Sequence, residues 1–257
     1  MYIGIMGALP EETNAIKAMM QLHKQEIVGN NIYYIGELNN HKVVLTNCGC
    51  GKSLAAATVT VLIVKYAVKE IIFTGVAGAV KPELKVGDIV IGKNMLYHDM
   101  DPRPIFPKFR VPFTDNTFFT ANHAKVSYAQ HAALRFTSNI NKYISSPVLA
   151  SFGITIPKVT TGTIATGDKF ITNAAEASQL TTEIAALNEI LHCVEMEGAA
   201  VAHICENFSV DYSIIRTISD NADHSASVDF GKFIKSIAAI YSAGIVSEML
   251  RIYSDFV

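Results

Sequence analysis

The sequence contains no long apolar run. No window offers the roughly 20 apolar residues that a membrane helix needs, and the best candidate, Ala55–Ala67, is shorter, contains Lys65 and follows Lys52. Charge is also sparse. Only 17% of the 257 residues are charged and the net charge is −2, which gives no general electrostatic reason to bind nucleic acid or an anionic membrane. Cysteine is limited to Cys48, Cys50, Cys193 and Cys205. One residue separates Cys48 from Cys50, so they form no CxxC pair, and no His stands at a metal-ligand spacing from them. Reduced, partly buried thiols in a cytoplasmic protein are expected instead. The start, MYIGIMG, lacks a basic region and is broken by Gly4 and Gly7, so it reads as a buried first strand and not as a targeting segment. Low-complexity tracts, internal repeats and linker-like composition are missing as well. Residues 1–257 are therefore expected to form a single domain.

What remains is rich in core-forming residues: half the chain is hydrophobic, which argues against disorder. Strands are expected at Tyr2–Met6, Ile32–Glu37, Lys42–Cys48, Glu70–Thr74, Asp88–Ile91, Lys158–Thr166, His192–Met196 and Tyr212–Ile218. Helices are expected at Glu11–Gln21, Lys52–Tyr66, Ala121–Phe136, Ala174–Thr182 and Gly198–Asn207, with one long closing helix at Phe230–Tyr253. The turn Asn39-Asn40 should join a strand pair. Apolar strands interleaved with helices indicate a largely parallel sheet covered on both faces.

Asp101–Asp115, DPRPIFPKFRVPFTD, is different. Its prolines exclude a regular helix or central strand, while Arg103, Lys108 and Arg110 alternate with Ile105, Phe106, Phe109 and Phe113. A long loop with an apolar side reads as an interface or a lid.

In a parallel sheet, ligands bind beyond the carboxyl ends of the strands. Polar or glycine residues stand at such ends in Gly7–Glu12, Asn47–Lys52, Thr74–Ala79, Glu195–Glu197 and Ser219–Asp223. The glycine stretches match neither GxxxxGK[ST] nor GxGxxG. They could let backbone N–H groups approach a ligand, or simply make tight turns. Glu195 and Glu197 flank Met196 in an apolar segment, where burying a carboxylate is costly unless it is paired. The plainer alternative is a pair of solvated helix caps. Asp220 ends an apolar strand that carries Arg216 and Ser219. It could be a proton donor with a raised pKa, or cap the following turn.

The ordered segments GALPEE, TGVAGA, LKVGDIVIG with YHDMD, TGDKFI, VEMEGAAVAHICENF and IRTISDNAD resemble the purine and uridine phosphorylase superfamily. Within it, the sequence looks most like the methylthioadenosine/S-adenosylhomocysteine nucleosidases, over nearly the whole chain. The resemblance implies a three-layer α/β/α sandwich with a mixed, partly barrel-like central sheet, a nucleoside phosphorylase-like fold. It also implies a homodimer acting on a small adenine nucleoside. Glu12 resembles the acid/base that orients and deprotonates the attacking water, with Arg216 and Glu197 around that water. Met196 and Glu197 match the ribose-binding pair, and Glu195 the acid before them. Asp220, held beside Ser219, matches the general acid that protonates adenine N7. Phe170 and Ile171 match the adenine wall, and Phe230 an aromatic near the ribose and 5′ side. Ala8, Leu9, Cys50, Val76, Ala77 and Gly78 fall at the remaining pocket positions. Cys50 is a wall thiol, not a nucleophile. The reaction so implied is water attack at C1′ with protonation of the departing adenine, and it needs no metal or organic cofactor because the leaving group needs only a proton.

Several positions depart from that pattern. Val76 stands where a Ser is common, Leu9 and Cys50 replace Met and Ile, and the proline-rich loop is longer and more basic. In such enzymes this loop region of one subunit helps close the partner's 5′ pocket. A phosphorylase is the nearest competing reading. However, Glu12 would face the phosphate, and two unit charges about 4 Å apart interact by roughly 4 kcal/mol at an effective dielectric of 20. A futalosine-type nucleoside hydrolase would use the same catalytic residues. A non-catalytic nucleoside-binding protein would be expected to lack them.

Overall fold

The structure is a computed structural model that describes residues 1–255. Among these, ten strands form one sheet. β1 (Tyr2–Gly7), β4 (His41–Asn47), β3 (Asn31–Leu38) and β2 (Gln21–Val28) extend from one side of β5 (Val68–Ala79). On its other side, β5 joins β10 (Asp211–Asp220), β6 (Ile89–Tyr97), β8 (Val159–Thr166) and β9 (Leu191–Glu195), and β9 pairs back onto β5. These five strands close a barrel, from which the remainder of the sheet projects. The short β7 (Phe119–Thr120) pairs with β6.

The sheet is mixed, where the apolar strands alone suggested a largely parallel one. β1, β4, β5 and β10 run parallel, but β10–β6, β5–β9 and the β2–β3–β4 meander are antiparallel. The expected β3–β4 hairpin is present. Asn39 and Asn40 both take positive φ, 48° and 65°, the backbone a two-residue turn between twisted strands requires.

Helices cover both faces. α1 (Pro10–Met19), α3 (His123–Ser138) and α8 (Ala238–Asp255) pack together, and α2 (Lys52–Tyr66) packs on α6 (Gly198–Asn207). α4 (Ser146–Ser151), α5 (Ala174–Ala185) and α7 (Ala226–Ser236) complete the set. No single helix among the described residues is long and apolar enough to cross a membrane.

β6 runs on to Tyr97, β7 and α4 had no counterpart among the expected elements, and three further differences have a clear physical cause. The helix after β1 stops at Met19, and β2 begins at Gln21. Its sequence, QLHKQEIV, is largely exposed; it is an edge strand whose polar side chains carry no alternation. The closing helix is two helices, bent by 54° at Ile237. The break lets α7 lie against β10 while α8 packs on α1 and α3, and an uninterrupted apolar pattern does not reveal it. Finally, Thr74–Ala79 is not a turn after a strand but the second half of β5.

The proline-rich loop is irregular, as expected. Phe109 is buried in it, whereas Ile105 and Phe113 are 80% and 91% exposed. Its cations are each paired with an acid: Arg103 with Asp101, Lys108 with Glu183, Arg110 with Asp115. No free basic cluster results.

Candidate active site

The carboxyl ends of β1, β5, β9 and β10 meet at one cavity of about 250 Å³. Its lining includes every residue proposed above for the site except Arg216. The wall is mostly apolar: Ala8, Leu9, Cys50, Val76, Ala77, Gly78, Phe170, Ile171, Met196 and Phe230. The rings of Phe170 and Phe230 meet edge to face at 5.6 Å. Into this wall project Glu12, Glu195, Glu197, Ser219 and Asp220.

Glu12 lies in the first turn of α1 and is buried. Its Oε2 accepts N–H bonds from Ala8 at 2.7 Å and Leu9 at 2.9 Å, and its Oε1 accepts one from Val76 at 3.1 Å. Burial still raises its pKa, against those N–H groups and the Arg216 charge. Asn47 supports this corner, donating from Nδ2 to the Leu9 carbonyl at 2.8 Å.

Asp220 ends β10 and is likewise buried. It accepts the Ser219 hydroxyl at 2.8 Å and the Ala222 N–H at 3.0 Å. Burial pushes its pKa up as well. The glycines of β5 make room for both acids. A Cβ at Gly75 would lie 2.7 Å from Glu12 Oε1, and one at Gly78 would lie 2.8 Å from Asp220 Oδ1. The TGVAGA glycines therefore serve close approach within a strand, not a turn.

Glu195 and Glu197 have separate surroundings. Glu195 is a buried helix cap. It accepts the N–H groups of Glu197 and Gly198, takes the Thr166 hydroxyl, and pairs with Arg216 at 2.7 Å. That engages the positive end of α6. Glu197 accepts the Gly51 N–H at 2.7 Å. Burial, and then the neighbouring Glu195 carboxylate, raise its pKa, while the Gly51 N–H and the Arg216 charge act in the opposite direction.

Arg216 sits behind the cavity wall, stacked 4.1 Å over the Phe73 ring and bonded to Glu195. It was expected beside the attacking water. Its charge reaches Glu12 and Glu197, but its hydrogen bonds run to Glu195 and to the Phe73 and Ile215 carbonyls. Cys50 lies on the cavity wall, and burial raises its pKa, with Glu197 and Glu12 adding to the effect. That direction disfavours the thiolate a nucleophile would need. Lys169 and Val194 also line the cavity and were not singled out from the sequence. Each adjoins a chosen residue within TGDKFI and VEME, and the side-chain direction that brings it to the wall is not encoded in the spacing.

A family model of the phosphorylase superfamily matches residues 2–251. A 5′-methylthioadenosine/S-adenosylhomocysteine nucleosidase of Mycobacterium tuberculosis is 31% identical over 97% of both chains. An aminodeoxyfutalosine nucleosidase of Helicobacter pylori is 29% identical over 92% of this chain and 93% of its own. The solved methylthioadenosine/S-adenosylhomocysteine nucleosidase of Neisseria meningitidis, in complex with methylthio-immucillin-A, superposes with a TM-score of 0.84 at 29% identity, covering 98% of this chain and 99% of that one. This chain belongs to the phosphorylase superfamily and, within it, to the family of the methylthioadenosine/S-adenosylhomocysteine nucleosidases.

Proposed function

We propose that this protein is a hydrolase that cleaves the N-glycosidic bond of 5′-thio-substituted adenine nucleosides, methylthioadenosine and S-adenosylhomocysteine, to adenine and the thioribose. The observation that carries the reading is a pair of buried carboxyl groups, Glu12 and Asp220, facing one apolar cavity with Glu197 in the same wall. Adenine departs poorly as an anion. Asp220, whose pKa burial raises, supplies the proton to N7 as the C1′–N9 bond lengthens. The ribose then becomes oxocarbenium-like, and the carboxylate of Glu197 holds its hydroxyls and faces the developing positive charge. Glu12 grips the water that attacks C1′ and accepts its proton. Ser219 keeps Asp220 oriented, Phe170 and Ile171 wall the adenine, and Phe230 lies near the ribose and 5′ side.

Phosphate is disfavoured as the nucleophile. The Ala8, Leu9 and Val76 N–H groups, which could have cradled an anion, are all taken by Glu12. Val76 adds no hydroxyl, and a carboxylate repels a dianion. Adenine release from methylthioadenosine is expected to proceed at the same rate with and without inorganic phosphate. A strict requirement for phosphate, read as 5-methylthioribose 1-phosphate among the chromatographed products, would overturn the hydrolytic reading. An aminodeoxyfutalosine-type nucleoside, added to the same panel, tests the alternative substrate that the Helicobacter relative brings in.

The active form in this proposal is a homodimer in which the proline-rich loop lies at or near the subunit interface. Ile105 and Phe113 on the loop, and Leu54 and Val64 on α2, are large apolar side chains left exposed in the single chain. Burying them provides an apolar interface core. Light scattering is expected to give twice the chain mass; a monomer at micromolar concentration would sink this part.

A further inference from the structure

Glu197 takes its hydrogen bond from an unusual position. Gly51, the residue before α2, has φ of 100° and ψ of 157°, a conformation that L side chains rarely adopt. In this pose its N–H reaches Glu197 Oε1 at 2.7 Å. The neighbouring N–H, of Lys52, is bound in turn by Asp168 Oδ1 at 2.8 Å. The Lys52 ammonium lies 2.5 Å from Asp99 Oδ2 and 3.6 Å from Asp168 Oδ2, and Asp99 Oδ2 also accepts the Asp168 N–H at 3.0 Å. Three loops are thereby tied together at the cavity rim: the start of α2, the residues after β6, and the TGDKFI segment that carries Phe170. A Cβ at Gly51 would approach Asp168 Oδ1 to 3.1 Å, so the clamp closes directly over this glycine. None of Lys52, Asp99 or Asp168 lines the cavity.

We infer that Lys52, Asp99 and Asp168 form a positioning clamp for the reaction, in which Asp168 holds the α2 N-terminus so that the Gly51 N–H stays on the Glu197 carboxylate. The inference rests on the hydrolase reading above, in which Glu197 acts ionised. The groups that face Glu197 are the Gly51 N–H just before α2, the Cys48 and Cys50 thiols after β4, Glu195 from β9, Arg216 from β10 and Glu12 from α1. Gly51 and Arg216 favour its ionised form, and Glu195 and Glu12 oppose it. Without the clamp, the Gly51 contribution weakens. Activity that requires ionised Glu197 then begins at higher pH.

The test compares Asp168→Ala with Asp168→Asn through pH profiles of kcat/KM for methylthioadenosine. Asp168→Ala removes the acceptor for Lys52 N–H. It is expected to lower kcat/KM at pH 7 about ten- to a hundredfold, as misplacement of a catalytic group does. It should also move the acidic limb up by about half a pH unit or more. Asp168→Asn keeps a carbonyl oxygen for the Lys52 N–H and is expected to restore most of the rate and the wild-type limb. A purely structural role would lower the amount of folded enzyme without moving the limb. An unmoved limb in Asp168→Ala, or an Asn variant as impaired as the Ala one, overturns the clamp. If Asp168→Ala fails to fold, Asp99→Ala, which removes the outer leg alone, is read by its acidic limb: a limb moved up supports the clamp and an unmoved one overturns it. The unmodified enzyme serves as control. Failure of the wild type to release adenine defeats the hydrolase reading, whereas an active wild type with an unmoved variant defeats only the clamp.

Discussion

Asp220→Asn is expected to lower turnover about 10²–10⁴-fold, the usual contribution of a positioned general acid, while the affinity for product adenine stays close to that of the wild type. Asn is nearly isosteric. Its carbonyl oxygen can keep the Ala222 N–H that Asp220 accepts at 3.0 Å, and the Ser219 hydroxyl, 2.8 Å from the other oxygen, can rotate to accept from the new amide. The fold at the end of β10 is thereby preserved, and an adenine edge still finds a polar partner. What is lost is the transferable proton, a loss confined to the transition state that shows in kcat. The turn-capping alternative makes the opposite forecast. Asp220 does cap its turn, through Ala222, and Asn is as good a cap as Asp. If capping were its whole contribution, the variant would turn over almost normally. The pH profile gives a second check. Burial raises the Asp220 pKa, so the wild type loses activity as rising pH removes the acid form; the Asn variant has no such group, and its residual activity should lack that alkaline limb. Adenine release by chromatography and adenine binding by calorimetry, on both proteins, decide the matter.

The sequence revealed which residues gather at the site far better than it revealed how they are held. Glu12, Glu197 and Asp220 stand at the ends of apolar strands or in the helix turn after one, and strand ends of one sheet converge on one edge. Chain order and hydrophobic pattern mark those stretches, and the resemblance to the nucleosidases picks the residues within them. That reasoning fails where the answer depends on partners distant in sequence. Arg216 was expected beside the water from the resemblance, but its hydrogen bonds run to Glu195, on another strand of the barrel, and to the Phe73 and Ile215 carbonyls. Gly75 and Gly78 looked like turn glycines because nothing local shows that two carboxylates press against β5 from outside it. Gln21–Val28 escaped notice because an exposed edge strand has no buried face to leave a pattern. Asp99 and Asp168 lie in the quoted segments YHDMD and TGDKFI, but nothing local assigns them a partner until three loops are seen to meet at Lys52.

Arg216→Met is expected to cost about 3–5 kcal/mol of stability, the usual consequence of removing one member of a buried ion pair. For a chain of this size, that corresponds to a fall in Tm on the order of 10 °C. Arg216 is 1% exposed and is among the largest fully buried side chains of the protein. Its Nη2 and Nε reach the same Glu195 oxygen at 2.7 and 3.2 Å, and its plane lies on the Phe73 ring. Met fills much of the volume and can pack on Phe73, so little of the loss should come from a cavity. The dominant cost is the Glu195 carboxylate left in the barrel without its counter-charge. The N–H groups of Glu197 and Gly198 and the Thr166 hydroxyl still bind it, which keeps the loss from growing larger. Lys is not an adequate substitute. A point charge on a flexible stem cannot reproduce both the fork onto Glu195 and the stacking on Phe73. The mechanism can be separated from a packing defect by a double-mutant cycle. If the unpaired charge is the cause, Glu195→Gln should recover part of the stability when Arg216 is already Met, and lower it when Arg216 is present, because Arg216 then loses its own partner. Denaturant unfolding of the four proteins gives the coupling. A single variant within about 1 kcal/mol of the wild type, the typical effect of an unremarkable substitution, or strictly additive effects in the cycle, would show that the barrel does not depend on this pair.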